Sequence, residues 1–335
     1  MINLRNDYNS IGDKKIIESL LNHIDEKYIG YGFDDKSKEL NDLVNNIIGF
    51  KVKTYCLAGG TLTNVIGLNQ ILKESYHAVM TVKTSHINLH ETGALETSGH
   101  KIIEVNYIGG KIDINDIEKT FNLYNETYMV KPKCLYLSNA TELGETYTLE
   151  ELKEISAICK KSNLYFFIDG ARLPQALIAE KYNLKDIASL CDMFYLGGTK
   201  NGLPYGELLI ITNESLFDGF DYLIKNRLGL LAKGFVLANM FITYLKDDYY
   251  LVLANKTLNN SLLIKEELKD YIIYPNKTNQ TFLIFDEDVI NKIKNDIDFE
   301  IWERQNDKIV IRLVTSFDTK REDVIKAISI INKVL

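Results

Sequence analysis

An α/β fold is what this sequence predicts: a mostly parallel sheet held between helices, followed by a smaller α+β unit at the C-terminal end. Three observations lead there. From about residue 50 to 212, short apolar runs alternate with longer amphipathic ones, as strands and helices do in βαβ units. The runs near 165 and 193 are apolar at consecutive positions, which suits strands covered on both faces. Beyond about 250 the order changes to helix, strand, helix, strand, strand, helix.

Taken in order, 52–57 reads as a strand. A helix over 62–72 follows, with Leu62, Val65, Ile66, Leu68 and Leu72 at helical spacing. A strand is expected at 78–82, a helix at 88–97, a strand at Lys101–Val105, a helix at 113–124 and a strand at 134–137. Thr148 with Glu151 three residues on forms a capping box for a helix that runs to Lys160. Strands at 165–168, 193–196 and Glu207–Ile211 complete the sheet. Residues 214–250, including 230–244, read as helical and carry the chain away. The last stretch gives a helix at 258–268, a strand at 281–285, a helix at 286–295, strands at 299–304 and Lys308–Val314, and a helix at 321–335. The expected division is an N-terminal segment 1–35 packed near the functional site and the small domain, a large domain 36–250, and a small domain 251–335.

With 335 residues the chain can bury a large core. Its 46% hydrophobic and 25% charged residues match an ordinary globular protein. A net charge of −7 and a pI near 5.4 argue against nucleic acid as a partner, since phosphate binding needs a basic face. No apolar run approaches the roughly 20 residues of a membrane span, and the N-terminal residues lack the basic and apolar regions of a secretory signal. Cys56, Cys134, Cys159 and Cys191 are scattered, with no C-x-x-C spacing. They read as buried free thiols of a cytoplasmic protein.

The residues that carry chemistry stand where strands end. The strand at 165–168 delivers Asp169, followed by Gly170-Ala171-Arg172. The strand at 193–196 runs through Gly197-Gly198-Thr199 to Lys200. An acid ending one strand and a lysine ending a later one point to pyridoxal phosphate. The amine would form a Schiff base with the cofactor aldehyde, and the carboxylate would keep the pyridine nitrogen protonated. Gly59-Gly60-Thr61, between a strand and a helix, can bring backbone N–H groups and a hydroxyl to a single phosphate. His86 follows the strand at 78–82 and can stack on a flat ring. Its i, i+4 spacing to His90 also admits a metal reading, which lacks a third ligand beyond Glu91. His23, His77 and His100 read as surface or capping residues. Only six of the 39 cationic residues are arginine, which singles each one out. Arg172, and Arg312 within an apolar late strand, are candidates to clamp an amino acid carboxylate; a structural salt bridge is the alternative for each.

On these residues the chain resembles the threonine aldolase and β-eliminating lyase group of fold-type I pyridoxal phosphate enzymes over nearly its whole length. Leu4-Arg5-Asn6-Asp7 and Tyr31-Gly32-Phe33-Asp34-Asp35 resemble that group's N-terminal motifs. Gly60-Thr61-x-x-Asn64 resembles its phosphate loop. Ser85-His86-Ile87 with Glu91-x-Gly93-Ala94 resembles its ring-stacking segment. Asp169-Gly170-Ala171-Arg172-Leu173 is the most specific match. Gly197-Gly198-Thr199-Lys200-Asn201-Gly202 resembles the lysine motif and Arg312-Leu313-Val314-Thr315-Ser316 the late arginine motif.

The resemblance implies retro-aldol cleavage of L-threonine or L-allo-threonine to glycine and acetaldehyde. It implies Lys200 and His86 as catalytic residues, and Gly60, Thr61, His86, Asp169, Arg172 and Lys200 around the cofactor. Asn6, Arg172 and Arg312 would bind the substrate, and the site would lie at the interface of a homodimer, sometimes within a homotetramer. Two positions depart from the group. Asn6 stands where well-known threonine aldolases have serine. Residues 138–144, Ser-Asn-Ala-Thr-Glu-Leu-Gly, lack the histidine of their Asn-Thr-His turn, with Thr141, Glu142 and His90 as candidates to replace it. That departure leaves amino transfer or β-elimination on another amino acid as the alternative reaction.

Overall fold

The computed structural model describes all 335 residues. Seven strands form the central sheet. In chain order they are β1 (Lys53–Leu57), β2 (His77–Val82), β3 (Lys101–Val105), β4 (Lys131–Ser138), β5 (Tyr165–Asp169), β6 (Met193–Gly197) and β7 (Glu207–Ile211). Across the sheet they stand as β1-β7-β6-β5-β4-β2-β3. Only β7 runs against its two neighbours, so the sheet is mostly parallel, as expected.

Alternate residues of each strand enter two cores, one on each face. Leu135, Leu137, Phe166, Ile168, Phe194 and Leu196 point into the larger cluster. Tyr136, Phe167, Met193, Tyr195 and Leu209 point into the other, against the helix Gly60–Ile71. Burial on both faces explains why these strands read as continuous apolar runs. A smaller antiparallel sheet follows, with β8 (Gln280–Asp286), β9 (Glu300–Gln305) and β10 (Lys308–Val314) in the order β8-β10-β9. Ile309, Ile311 and Leu313 of β10 enter a third core, which also holds Ile2 and Leu4 of the N-terminal segment. That segment pairs Ile2–Asn3 with Ile297–Asp298, and the N–H of Val314 donates to the carbonyl of Leu4 at 2.7 Å.

Several expectations need correction. Residues 88–97 are not one helix. A single turn, His86–Leu89, ends where Thr92 and Gly93 take positive φ, and only a short 3₁₀ turn at Glu96–Ser98 follows. The helix expected at 258–268 is Tyr249–Glu267, so the chain enters its C-terminal unit along a helix that begins before 251. The helix Asp35–Ile48 is not among the expected elements, yet its ends are marked in the sequence: the Asp34 carboxylate accepts from Ser37 N–H, and Gly49 ends it in the left-handed region. Cys134, Cys159 and Cys191 are buried free thiols, but Cys56 is only half-buried, because β1 is an edge strand of the sheet. His100 is buried, with its ring against the carbonyl of His77 at 3.2 Å.

Candidate active site

The carboxyl ends of the parallel strands converge on one edge of the sheet, the usual place for a ligand in an open α/β fold. Asp169 is the last residue of β5. Lys200 sits in a 3₁₀ turn, Thr199–Asn201, just past β6. Gly59 and Gly60 follow β1, His86 follows β2, and Thr141 and Glu142 follow β4. Because β7 is reversed, its first residue, Glu207, lies at this same edge, paired with Gly197 and Leu57. These residues, with Arg172, line one cavity of about 250 Å³.

Asp169 is 4% exposed and surrounded by donors. The hydroxyls of Tyr136 and Tyr195 donate to its two oxygens at 2.5 Å each. Asn64 Nδ2 adds a bond at 3.3 Å and the Ala171 N–H one at 3.0 Å. Burial alone would raise its pKa, but the nearby His86 and the two tyrosine hydroxyls outweigh that and hold it below the ordinary carboxylate value. His86 Nδ1 meets Glu91 Oε1 at 2.8 Å, and the same oxygen accepts from Asn64 Nδ2 at 2.7 Å. His86, Glu91, Asn64 and Asp169 therefore form one buried polar chain. Glu91 thus holds the imidazole of His86, and the rings of His86 and His90 are tilted 49° to each other. His90 is exposed and is not among the residues that line the cavity, although its ring centre lies 5.5 Å from that of His86.

Lys200 enters no salt bridge. Burial first, then the positive charge of Arg172, push its pKa below the ordinary lysine value, which favours a free amine. Its turn is pinned by Asn201, whose Nδ2 donates to the carbonyls of Ala171 and Gly197 at 2.9 Å each. Glu207 Oε2 accepts from Gly198 N–H at 2.8 Å, and burial raises that carboxyl to about 7.

Of the residues expected at the site, Gly60, Thr61, His86, Asp169, Arg172 and Lys200 line the cavity, whereas Asn6 and Arg312 do not. Arg172 commits Nε and Nη2 to Asp7, at 2.7 and 3.0 Å. Asp7 also accepts from Asn279 at 2.9 Å. The salt-bridge alternative therefore holds along one edge of the guanidinium, while the side chain still reaches the cavity. Arg312 lies on the face of β10 opposite the third core. It donates to Gln280 at 2.8 Å and to Glu300, and its guanidinium lies 4.8 Å from the Trp302 ring centre. Asn6 caps its own turn, accepting from Tyr8 N–H at 3.1 Å.

Tyr136, Tyr195, Asp7 and Glu207 were not singled out from sequence. The two tyrosines had a signal, since a phenol inside a buried strand must find a hydrogen-bond partner.

The arrangement fits pyridoxal phosphate on its own chemistry. The helix Gly60–Ile71 opens onto the cavity with no side-chain cap on its first N–H groups. A Cβ built on Gly59 meets nothing within 4 Å, so there is room for an anion at that terminus. An ionised acid and an unpaired lysine face the same space.

Comparison with known proteins agrees. A family model described as beta-eliminating lyase matches residues 9–287. A low specificity L-threonine aldolase of Pseudomonas aeruginosa is 29% identical over 272 residues, covering 79% of this chain and 78% of that protein. One from Pseudomonas sp. is 29% identical over 283 residues, covering 82% and 81%. The structure of a threonine aldolase from Leishmania major superposes with a TM-score of 0.97 at 34% identity, covering 100% of both chains. With the family model matched over most of this chain, and Lys200 and Asp169 lining one cavity in it, the chain belongs to the beta-eliminating lyase family, a family of pyridoxal phosphate enzymes.

Proposed function

We propose that this protein is a pyridoxal phosphate-dependent aldehyde lyase that cleaves L-threonine or L-allo-threonine to glycine and acetaldehyde. The observation that carries the reading is the single cavity onto which Lys200, Asp169, His86 and the Gly59–Gly60 helix start all face. The three named relatives, all threonine aldolases by description, point to the same substrate class.

Lys200 would hold the cofactor through its amine and Asp169 would keep a proton on the ring nitrogen. The N–H of Gly60 and the hydroxyl of Thr61 would bind the phosphate, with His86 against the ring face. When bound, the cofactor supplies an electron sink for a bond broken at Cα. The free edge of Arg172 orients the substrate carboxylate, and Arg312 and Asn6 are proposed to complete that grip. A base beside the cavity takes the β-hydroxyl proton, and the O–H electron pair becomes the carbonyl of the departing aldehyde.

We further propose a cytoplasmic homodimer or homotetramer. Four unpaired cysteines support a reducing compartment. Ile11, Ile24, Ile29 and Phe33 of the N-terminal segment are each about 70–80% exposed, which supports a covering partner. The proposed division is 1–35, 36–250 and 251–335.

The test is release of acetaldehyde and glycine from threonine by the cofactor-loaded protein, with wild type beside Lys200→Ala. Wild type is expected to cleave and to carry a visible cofactor absorbance, and the variant to lose both. A cofactor-loaded protein inert toward every β-hydroxy amino acid overturns the assignment. Amino transfer to a keto acid, or pyruvate formed from serine, would then be the reaction to measure.

A further inference from the structure

We infer that Glu142 is the residue that takes the proton from the β-hydroxyl of the substrate, an assignment that rests on the aldehyde lyase reading above and names its base. Three candidates stood open for the position where resembling enzymes carry a histidine, and the geometry separates them. His90 is exposed and does not line the cavity. Thr141 lines it, but its hydroxyl already accepts from Glu145 N–H at 3.0 Å, and an alcohol is a poor base. Glu142 lines it with a carboxylate whose two oxygens differ. Oε1 accepts from Ser138 Oγ and from the His86 backbone N–H, both at 2.8 Å. Oε2 receives no donor from another residue, and the side chain is only half-buried, which leaves Oε2 as the oxygen free to meet a ligand in the cavity that Glu142 lines.

His86 is the competing base. Its Nδ1 is held by Glu91, and its ring is assigned to the cofactor face. Glu142 is bonded to the backbone of that same residue. It therefore sits at a fixed place beside the ring, with its own free lone pairs. Burial raises the Glu142 pKa, so the carboxylate is a stronger base than an exposed one. Five groups bear on it: Ser138, its own backbone N–H and His86 favour its charged form, the negative charge of Asp169 opposes it, and Arg172 senses it.

In the step, the β O–H bond breaks and its proton passes to Glu142 Oε2. The O–H electron pair forms the aldehyde C=O. The Cα–Cβ bond breaks with its pair left on the glycine portion, where a proton later adds at Cα. Substrate and products balance without any co-reactant.

The experiment uses the cofactor-loaded enzyme and compares wild type with Glu142→Gln by three measurements: aldehyde release from threonine, solvent deuterium exchange at the α-carbon of glycine, and visible cofactor absorbance. Glycine exchange involves no β-hydroxyl. The expected result is a fall in kcat for cleavage of about 10²–10³-fold, typical of losing a general base, with exchange and absorbance kept. Cleavage at the wild-type rate overturns the inference. Loss of exchange together with cleavage also overturns it, since the residue would then be structural. A wild type that holds the cofactor yet cleaves no β-hydroxy amino acid instead overturns the lyase reading itself. Ser138→Ala gives a second, independent readout. Removing one donor from Oε1 should raise the Glu142 pKa, so the acidic limb of kcat for cleavage moves to higher pH. An unmoved limb counts against Glu142.

Discussion

Single residues at this site were legible in proportion to how much chemistry their identity carries. Asp169 and Lys200 stood out because each follows an apolar strand, and a charge there has few structural explanations. Glu207 did not. It opens a strand instead of closing one, and the sequence cannot show that β7 is reversed and so brings Glu207 to the same edge. Its buried carboxyl makes a pH prediction. The ordinary value is 4.5 and burial raises it to about 7 in the folded chain. Below 4.5 both folded and unfolded chains keep the proton, and Glu207 costs nothing. As pH rises from 4.5 to 7 the unfolded chain releases the proton first, so unfolding becomes more favourable. At roughly 1.4 kcal/mol per pH unit the cost reaches about 3 kcal/mol above pH 7. Glu207→Gln cannot ionise and can still accept from Gly198 N–H. In the cofactor-free protein its urea stability relative to wild type should therefore grow between pH 5 and pH 8. An equal difference at both pH values would show that Glu207 does not titrate in this window.

At the scale of elements, strands were read to within a few residues because burial on both faces leaves an unbroken apolar run, and the Thr148–Glu151 capping box forms as read. Helices were harder where the cue lay in the ends. Asp35–Ile48 is polar along most of its length and buries only Leu40, Val44 and Ile48. The turn after His86 was overread because Gly93 looks tolerable in a helix until its positive φ is known. Glycines at strand ends show how tightly the elements fix the site. A Cβ on Gly170 would lie 1.8 Å from the backbone carbonyl oxygen of Tyr195, so β5 and β6 approach too closely there for any side chain. Gly170→Ala should force apart the two strands that carry Asp169 and lead to Lys200, costing about 4 kcal/mol or more and reducing cofactor retention. Gly59 has extended backbone and nothing near its Cβ. Gly59→Ala should leave urea stability unchanged while weakening cofactor binding, since the new methyl enters the cavity. Comparable stability losses in the two variants would refute this account of why each glycine is there.

At the scale of the whole molecule, the site is assembled from parts far apart in sequence. Asp7 reaches it from the N-terminal segment, held by Arg172 and by Asn279 of the loop before β8. The turn that carries Glu142 is tied to that same unit, where Thr278 Oγ1 donates to the Gly144 carbonyl at 3.1 Å. No local pattern reveals such long-range pairings, which is why Asp7 was legible only as part of a motif. The N-terminal segment carries large apolar side chains that the chain itself leaves uncovered. Ile11, Ile24, Ile29 and Phe33 are exposed by 80, 70, 69 and 79%. So many large apolar side chains within one short segment are poorly suited to water and well suited to an interface. The same segment passes beside the turn that carries Lys200, where the Asp13 N–H donates to the Gly202 carbonyl at 2.7 Å, so a copy packed on it would lie near the site. Phe33→Asp places a charge on that surface without touching any of the three cores. Sedimentation should show wild type as a dimer or tetramer and the variant shifted toward monomer, because desolvating an unpaired carboxylate opposes association. Threonine cleavage should fall with the oligomer and recover as protein concentration rises. A wild type that sediments as a monomer at full activity would mean that one chain completes the site alone.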